Sequence, residues 1–120
     1  MANFIHLVED DEDIRFIIEY VLVEEGYEVE AFATAAAFYS GLLVHRPNLI
    51  ILDVMLPDGN GISICHKLKS EAATLNIPII IMSAHAAEKS ALDEAGADDF
   101  ISKPFDLNHF IHQVKEQLPI

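Results

Sequence analysis

The sequence predicts an α/β domain whose parallel sheet is covered on both faces, and three observations predict it. The runs Phe4-Ile5-His6-Leu7-Val8, Leu49-Ile50-Ile51-Leu52 and Ile79-Ile80-Ile81-Met82 are nearly continuous in apolar residues. Strands buried on both faces need that composition, whereas a strand with one wet face alternates. Between the runs, apolar residues recur at helical spacing. The strand–helix alternation repeats five times without linker, internal repeat or low-complexity segment, as a doubly covered sheet requires. A length of 120 residues fits one domain over 1–120.

Each element has a local reason. Residues 4–8 form the first strand. Ile14, Ile17, Ile18, Val21 and Leu22 follow at i, i+3, i+4, i+7 and i+8 and predict one apolar helix face. Gly26 ends that helix. Residues 28–32 alternate polar and apolar as the second strand. Thr34 is placed to cap a helix running to about Val44, and Pro47 closes the segment before a strand at 49–52. Gly59 and Gly61 mark a loop. The next helix sets Ile62, Cys65 and Leu68 on one face, and Pro78 precedes the strand at 79–82. A short helix with Ala91, Leu92 and Ala95 inward ends at Gly96. A strand at about 99–102 leads to the last helix, with Leu107, Phe110, Ile111, Val114 and Leu118 on its apolar face. Right-handed crossovers leave few topologies, and the flavodoxin-like strand order 2-1-3-4-5 fits best.

Composition narrows the function. The formal charge of -13 argues against direct binding to nucleic acid or an anionic membrane, since both carry dense negative charge. No apolar stretch approaches the roughly 20 residues of a membrane helix, and no secretory signal is visible. Cys65 is the only cysteine, so no intrachain disulfide forms, and a reducing cytoplasm is the expected location. No G-x-x-x-x-G-K-[ST] phosphate loop is present.

The chemistry gathers at strand ends. Asp53 ends the third apolar run and leads into a turn. Glu9 and Asp10 leave the first strand, which the predicted order makes its neighbour at the switch point. Neighbouring strands lie about 4.8 Å apart, so these carboxylates can share one ion. A hard divalent cation relieves their repulsion, and Mg²⁺ fits one or two carboxylates with waters and a phosphate; Mn²⁺ is the expected substitute. Asp53 is then a nucleophile able to form an acyl phosphate. Lys103, at the end of the fifth strand, supplies positive charge for the transferring oxygens. The Ser83 hydroxyl is placed to bond a phosphoryl oxygen, and Ala84 leaves room for the incoming group. Pro104 is expected to set a cis bond that aims Lys103 into the cleft. Asp11, Glu12 and Asp13 read instead as acids opening the first helix. His109 and His112 read as a solvated face, His85 as the one histidine near the rim, and Cys65 as core.

At these residues the chain resembles the receiver domain of two-component response regulators, over its whole length. The resemblance rests on Val8-Glu9-Asp10, Leu52-Asp53-Val54-Met55-Leu56-Pro57-Asp58-Gly59, Met82-Ser83-Ala84, Gly96-Ala97-Asp98-Asp99-Phe100 and Lys103-Pro104-Phe105. It implies that Asp53 accepts a phosphoryl group from a phosphohistidine on a sensor histidine kinase or a phosphotransfer protein. It implies that Asp10, Asp53 and the Met55 carbonyl bind Mg²⁺ directly and Glu9 through water. Ser83 and Lys103 would hold the phosphoryl oxygens. Movement of Ser83 would let Phe100 turn inward and alter the face of the fourth helix, fifth strand and last helix, which controls an output domain or downstream protein. Met55 and His85 occupy positions that tune phosphoryl lifetime. The resemblance further implies a phosphorylation-dependent homodimer through charges on the last helix. Asp98 and Asp99 are in place for it, but His109 and Gln113 stand where an acid and an arginine are expected.

Two other classes fit less well. A haloacid-dehalogenase-type phosphatase needs a second aspartate two residues after the first, where Met55 stands. A flavin carrier needs a hydroxyl- and glycine-rich loop after the first strand, where Glu9-Asp10-Asp11 would repel the flavin phosphate. The expected protein is therefore a switch and no enzyme acting on outside substrates. The chain ends just past its last helix, which leaves a stand-alone regulator and a piece of a longer one both open.

Overall fold

The two-faced apolar runs become the centre of one sheet. The computed structural model describes residues 3–84 and 89–118. In chain order the elements are β1 (Phe4–Val8), α1 (Glu12–Glu24), β2 (Glu28–Phe32), α2 (Ala35–Val44), β3 (Leu49–Asp53), a small hairpin of β4 (Met55–Leu56) and β5 (Gly59–Asn60), α3 (Gly61–Lys69), β6 (Ile79–Ser83), α4 (Lys89–Ala95), β7 (Asp99–Ser102) and α5 (Leu107–Gln117). The main sheet is parallel throughout, in the order β2-β1-β3-β6-β7. That is the predicted order, with β4 and β5 as an addition the sequence did not signal. His85 lies outside the described residues, as does the side chain of Leu92.

Alternate residues of each strand feed two separate cores. On one face, His6, Val8, Ile50, Leu52, Ile79 and Ile81 meet α2 and α3 through Phe38, Ile64, Cys65 and Leu68. On the other, Ile5, Leu7, Ile51, Ile80, Met82 and Ile101 meet α1 and α5 through Ile18, Leu22, Phe110 and Val114. This double use explains why β1, β3 and β6 read as unbroken apolar runs. Edge strand β2 alternates because only one neighbour strand and part of each face cover it.

The caps follow the sequence. Asp11 accepts the Ile14 N–H at 3.1 Å, Thr34 the Ala37 N–H at 3.1 Å, and Asp106 the Asn108 N–H at 2.7 Å. Gly26 and Gly96 take φ of 97° and 89° just past α1 and α4, a conformation that costs glycine least.

Several face assignments shift by one position. In α1 only Ile18 and Leu22 are fully buried, while Ile17 is 47% exposed. In α3 the buried stripe is Gly61, Ile64, Cys65 and Leu68, and Ile62 only leans against it. Steps of three, as in 62–65–68, drift around a helix of 3.6 residues per turn. The set 61–64–65–68 stays on one line. In α4 Ala95 is buried but Ala91 is exposed. In α5 Gln113 joins Phe110 and Val114 in the buried set. Among the described residues no helix is long and apolar enough to cross a membrane.

His6 is the unexpected core residue. It is fully buried, and neither ring nitrogen has a hydrogen-bond partner among the described residues. Phe4, Phe32 and Phe38 present edge-on rings at 5.0, 4.9 and 5.8 Å, and Glu30 Oε1 lies 4.0 Å from Nε2. Burial, aided by His45, pushes the His6 pKa down to about 4 from 6.5. A histidine depressed in the folded state binds its proton more readily when unfolded. Stability is therefore lost as pH falls from about 6.5 towards about 4. By pH 5 the loss from this group is on the order of 2 kcal/mol. Urea midpoints at pH 7 and pH 5 measure it. His6→Leu should shrink the difference between them, and an undiminished difference would clear His6 of the role.

Candidate functional site

The site forms where β1, β3, β6 and β7 end on one rim. Val8 pairs with Leu52, Asp53 with Met82, and Ser83 with Ser102. The register thus delivers Glu9, Asp10, Asp53, Ser83 and Lys103 at nearly the same height. Glu9, Asp10 and Asp53 each place a carboxylate oxygen within 4.8 Å of the others. Glu9 and Asp53 are buried and Asp10 is exposed, so the cluster opens to solvent on the Asp10 side.

Lys103 bridges the buried pair. Its Nζ lies 2.6 Å from Glu9 Oε1 and 3.3 Å from Asp53 Oδ1. The Lys103 N–H donates to the Ser83 carbonyl at 2.8 Å, and the Lys103–Pro104 peptide is cis, as expected from the sequence. The other Glu9 oxygen accepts the Asp11 N–H at 3.2 Å. Arg15 Nη1 holds the loop from below through the Glu9 carbonyl at 2.9 Å.

The electrostatics express crowding. Burial pushes Glu9 up to about 7, and Asp53 adds to it; the hydrogen bonds from Lys103 and Asp11 pull the other way. Burial works against the charged Lys103, yet the Glu9 hydrogen bond and the charges of Asp53 and Glu9 outweigh it and hold the ammonium above its ordinary pKa. When all three carboxylates are ionised the cluster outnumbers the one lysine, and a further cation would offset that repulsion. All the donors are hard oxygens, so the residues fit Mg²⁺ better than a soft metal.

The remaining predicted residues take these places. Ser83 is buried at the end of β6, and Ala84 beside it is exposed. The Met55 side chain is 67% exposed on the rim hairpin. Phe100 is half-buried against the core on the α3 side. Cys65 is fully buried, burial pushes its thiol up to about 11, and it is an inert core residue. His112 is exposed and 3.1 Å from Glu116 on the outer face of α5.

Three participants were missed by sequence reasoning. Gln113 does not face solvent: its Nε2 donates to Asp99 Oδ2 at 3.1 Å and to the Phe100 carbonyl at 3.2 Å. Its helical spacing with Phe110 and Val114 was the available signal. Gly61 is more than a loop glycine. Its N–H donates to the Val54 carbonyl at 2.7 Å, and a Cβ there would collide with the carbonyl of Asp53. Asp58 accepts the N–H groups of Ala35 and Ala36 at 2.7 and 3.0 Å. No local pattern pairs Asp58 with those two.

The strand order and the acidic rim at its switch point are those of a response-regulator receiver, a class of signalling domain. Residues 5–115 match the response regulator receiver domain, and the chain belongs to that family. It is 38% identical over 121 aligned positions to the phosphate regulon transcriptional regulatory protein PhoB of Pseudomonas aeruginosa, covering 98% of this chain and 52% of that protein. It is 36% identical over 114 residues to the transcriptional regulatory protein GltR of the same organism, covering 93% and 47%. A putative response regulator from Chloroflexus aurantiacus superimposes with a TM-score of 0.94 at 29% identity, over the full length of both chains. The chain spans about half the length of the curated relatives it matches. The resemblance read from the motifs is correct.

Proposed function

We propose that this chain, as one receiver unit over 1–120, is a phosphorylation-operated switch whose acceptor is Asp53. The observation that carries this is the meeting of Glu9, Asp10 and Asp53 within 4.8 Å under the Lys103 ammonium. The donor is a phosphohistidine on a sensor kinase or phosphotransfer protein. An Asp53 carboxylate oxygen attacks phosphorus, the P–N bond breaks, and its electron pair leaves on the imidazole nitrogen. The product is an acyl phosphate on Asp53.

Asp10, Asp53 and the Met55 carbonyl would hold Mg²⁺ directly, and Glu9 through water. The ion's part is to neutralise charge on the transferring oxygens. Lys103 takes one phosphoryl oxygen and gives up its hold on Asp53 to do so. The Ser83 hydroxyl takes another, and the small Ala84 leaves the approach open. Movement of Ser83 then makes room for Phe100 to turn inward. That resets the surface of α4, β7 and α5 for an output domain, a downstream protein or a second copy of the chain. The only chemistry is its own modification and its slow reversal. The setting is cytoplasmic, without direct nucleic-acid or membrane contact through this unit. PhoB and GltR are named transcriptional regulatory proteins, which supports an output at transcription.

Incubation with acetyl phosphate and Mg²⁺ should add one phosphoryl group, read as intact mass, and chelation should prevent it. Asp10→Ala should remove Mg²⁺ binding, read from a titration of the amide spectrum. Unchanged affinity would take Asp10 out of the metal site.

A further inference from the structure

We propose that Asp58 is a positioning residue for the metal cleft, holding the loop of Asp53 and Met55 at a set distance from the wall of Glu9 and Asp10. The proposal rests on the metal-dependent phosphoacceptor reading above.

Asp58 sits in the turn between β4 and β5, five residues past the acceptor. Both of its oxygens are committed. Oδ1 accepts the Ala35 N–H at 2.7 Å and Oδ2 the Ala36 N–H at 3.0 Å. These are the first two residues of α2. Hydrogen bonds from an ionised carboxylate to the positive end of a helix are the strong kind. The same two bonds hold the Asp58 pKa below its ordinary value. Gly59 lies beside the same helix start: a Cβ on it would make only an ordinary contact, 3.4 Å from the Ala35 Cβ.

Thr34 caps only the Ala37 N–H, at 3.1 Å, and Asp58 takes the two N–H groups before it from a different loop. What Asp58 adds is a link between two loops 22 and 23 residues apart. The link continues to the opposite wall. α2 follows directly on β2, and the Phe32 carbonyl at the end of β2 accepts the Glu9 N–H at 3.0 Å. A closed ring results, from Asp53 through Asp58, the start of α2 and Phe32 to Glu9. Lys103 spans the same two walls from inside, at 2.6 and 3.3 Å. When a phosphoryl group draws Lys103 away, the Asp58 bonds still join the walls. Asp58 is exposed, so its loss buries no unpaired charge. Its removal should act on the spacing of the ligands more than on folding.

The test is a Mg²⁺ titration of the amide spectrum for wild type, Asp58→Ala, Asp58→Asn and Thr34→Ala. Asp58→Ala should weaken Mg²⁺ binding several-fold, less than the roughly 10–100-fold loss expected when a direct hydrogen-bond partner of a ligand is removed, because Asp58 bonds to α2 and to no ligand. Asp58→Asn keeps one carbonyl acceptor and should fall between. Phosphorylation of Asp58→Ala by acetyl phosphate should slow at low Mg²⁺ and recover at saturating Mg²⁺. Thr34→Ala removes a cap without cutting the ring, and should lower the urea midpoint while leaving Mg²⁺ affinity intact. Equal Mg²⁺ affinity in wild type and Asp58→Ala overturns the proposal. So does an equal loss in Thr34→Ala, which would reduce Asp58 to a helix cap. A wild type that binds no Mg²⁺ fails differently, because it overturns the metal-dependent reading underneath.

Discussion

Asp53→Asn should take up no phosphoryl group from acetyl phosphate and Mg²⁺, yet remain folded and at least as stable as wild type. The amide keeps the shape of the carboxylate but has no anionic oxygen to attack phosphorus. It also takes the negative charge from one of the three groups that converge within 4.8 Å, so Mg²⁺ affinity should fall in parallel. The stability expectation has the opposite sign for a physical reason. Asp53 is buried beside Glu9 and raises the Glu9 pKa. Neutralising Asp53 relieves that repulsion, leaving Lys103 2.6 Å from Glu9 as a simple pair. Glu9 should then titrate lower than about 7. Intact mass after acetyl phosphate treatment reads the first effect, and urea midpoints read the second. Equal phosphorylation of the variant would place the acceptor elsewhere. A strongly lowered midpoint would mean that the Asp53–Lys103 contact at 3.3 Å outweighs the repulsion.

Gly61→Ala should destabilise the fold and slow phosphorylation together. Gly61 is the first residue of α3, where alanine would ordinarily be favoured by up to about 1 kcal/mol. Steric overlap decides the sign. The new Cβ would meet the Asp53 carbonyl oxygen and lie 2.9 Å from Asp53 C and Val54 Cα. These are backbone atoms on the last turn before the hairpin, so no side chain can swing aside. Overpacking of this kind costs about 1–3 kcal/mol, enough to exceed the propensity gain. The relaxation must move the backbone that carries the acceptor. Gly59→Ala is the control, since its Cβ would meet only the Ala35 methyl at 3.4 Å and Ile64 Cδ1 at 3.6 Å. A Gly61→Ala variant with wild-type midpoint and phosphorylation rate would show that the close approach has no consequence.

The residues of the fold and of the site were unequally legible in the sequence. Strand order, caps and the rim cluster followed from local signals: unbroken apolar runs, Thr34 before a helix, carboxylates just past strands. The faces of α1 and α3 were read less well. Ile17 and Ile62 satisfy a three-residue step, but burial goes to whichever side the sheet covers, and that is 18 and 22 in one helix, 64, 65 and 68 in the other. His6 hid inside an apolar run because a neutral, desolvated imidazole packs like another ring among Phe4, Phe32 and Phe38. Gln113 was read only as standing where the resemblance expects an arginine, whereas its amide is bound within the chain to Asp99 and the Phe100 carbonyl.

By itself the sequence determined the doubly wound sheet and the chemical character of its rim, because hydrophobic periodicity and strand-end position are local properties of the chain. Tertiary structure alone decided how those groups are held. Lys103 reaches Glu9 across 94 residues, and Asp58 reaches α2 across 22 and 23. Such distances depend on how separate loops come to rest on one folded core, and no period or spacing in the chain encodes that.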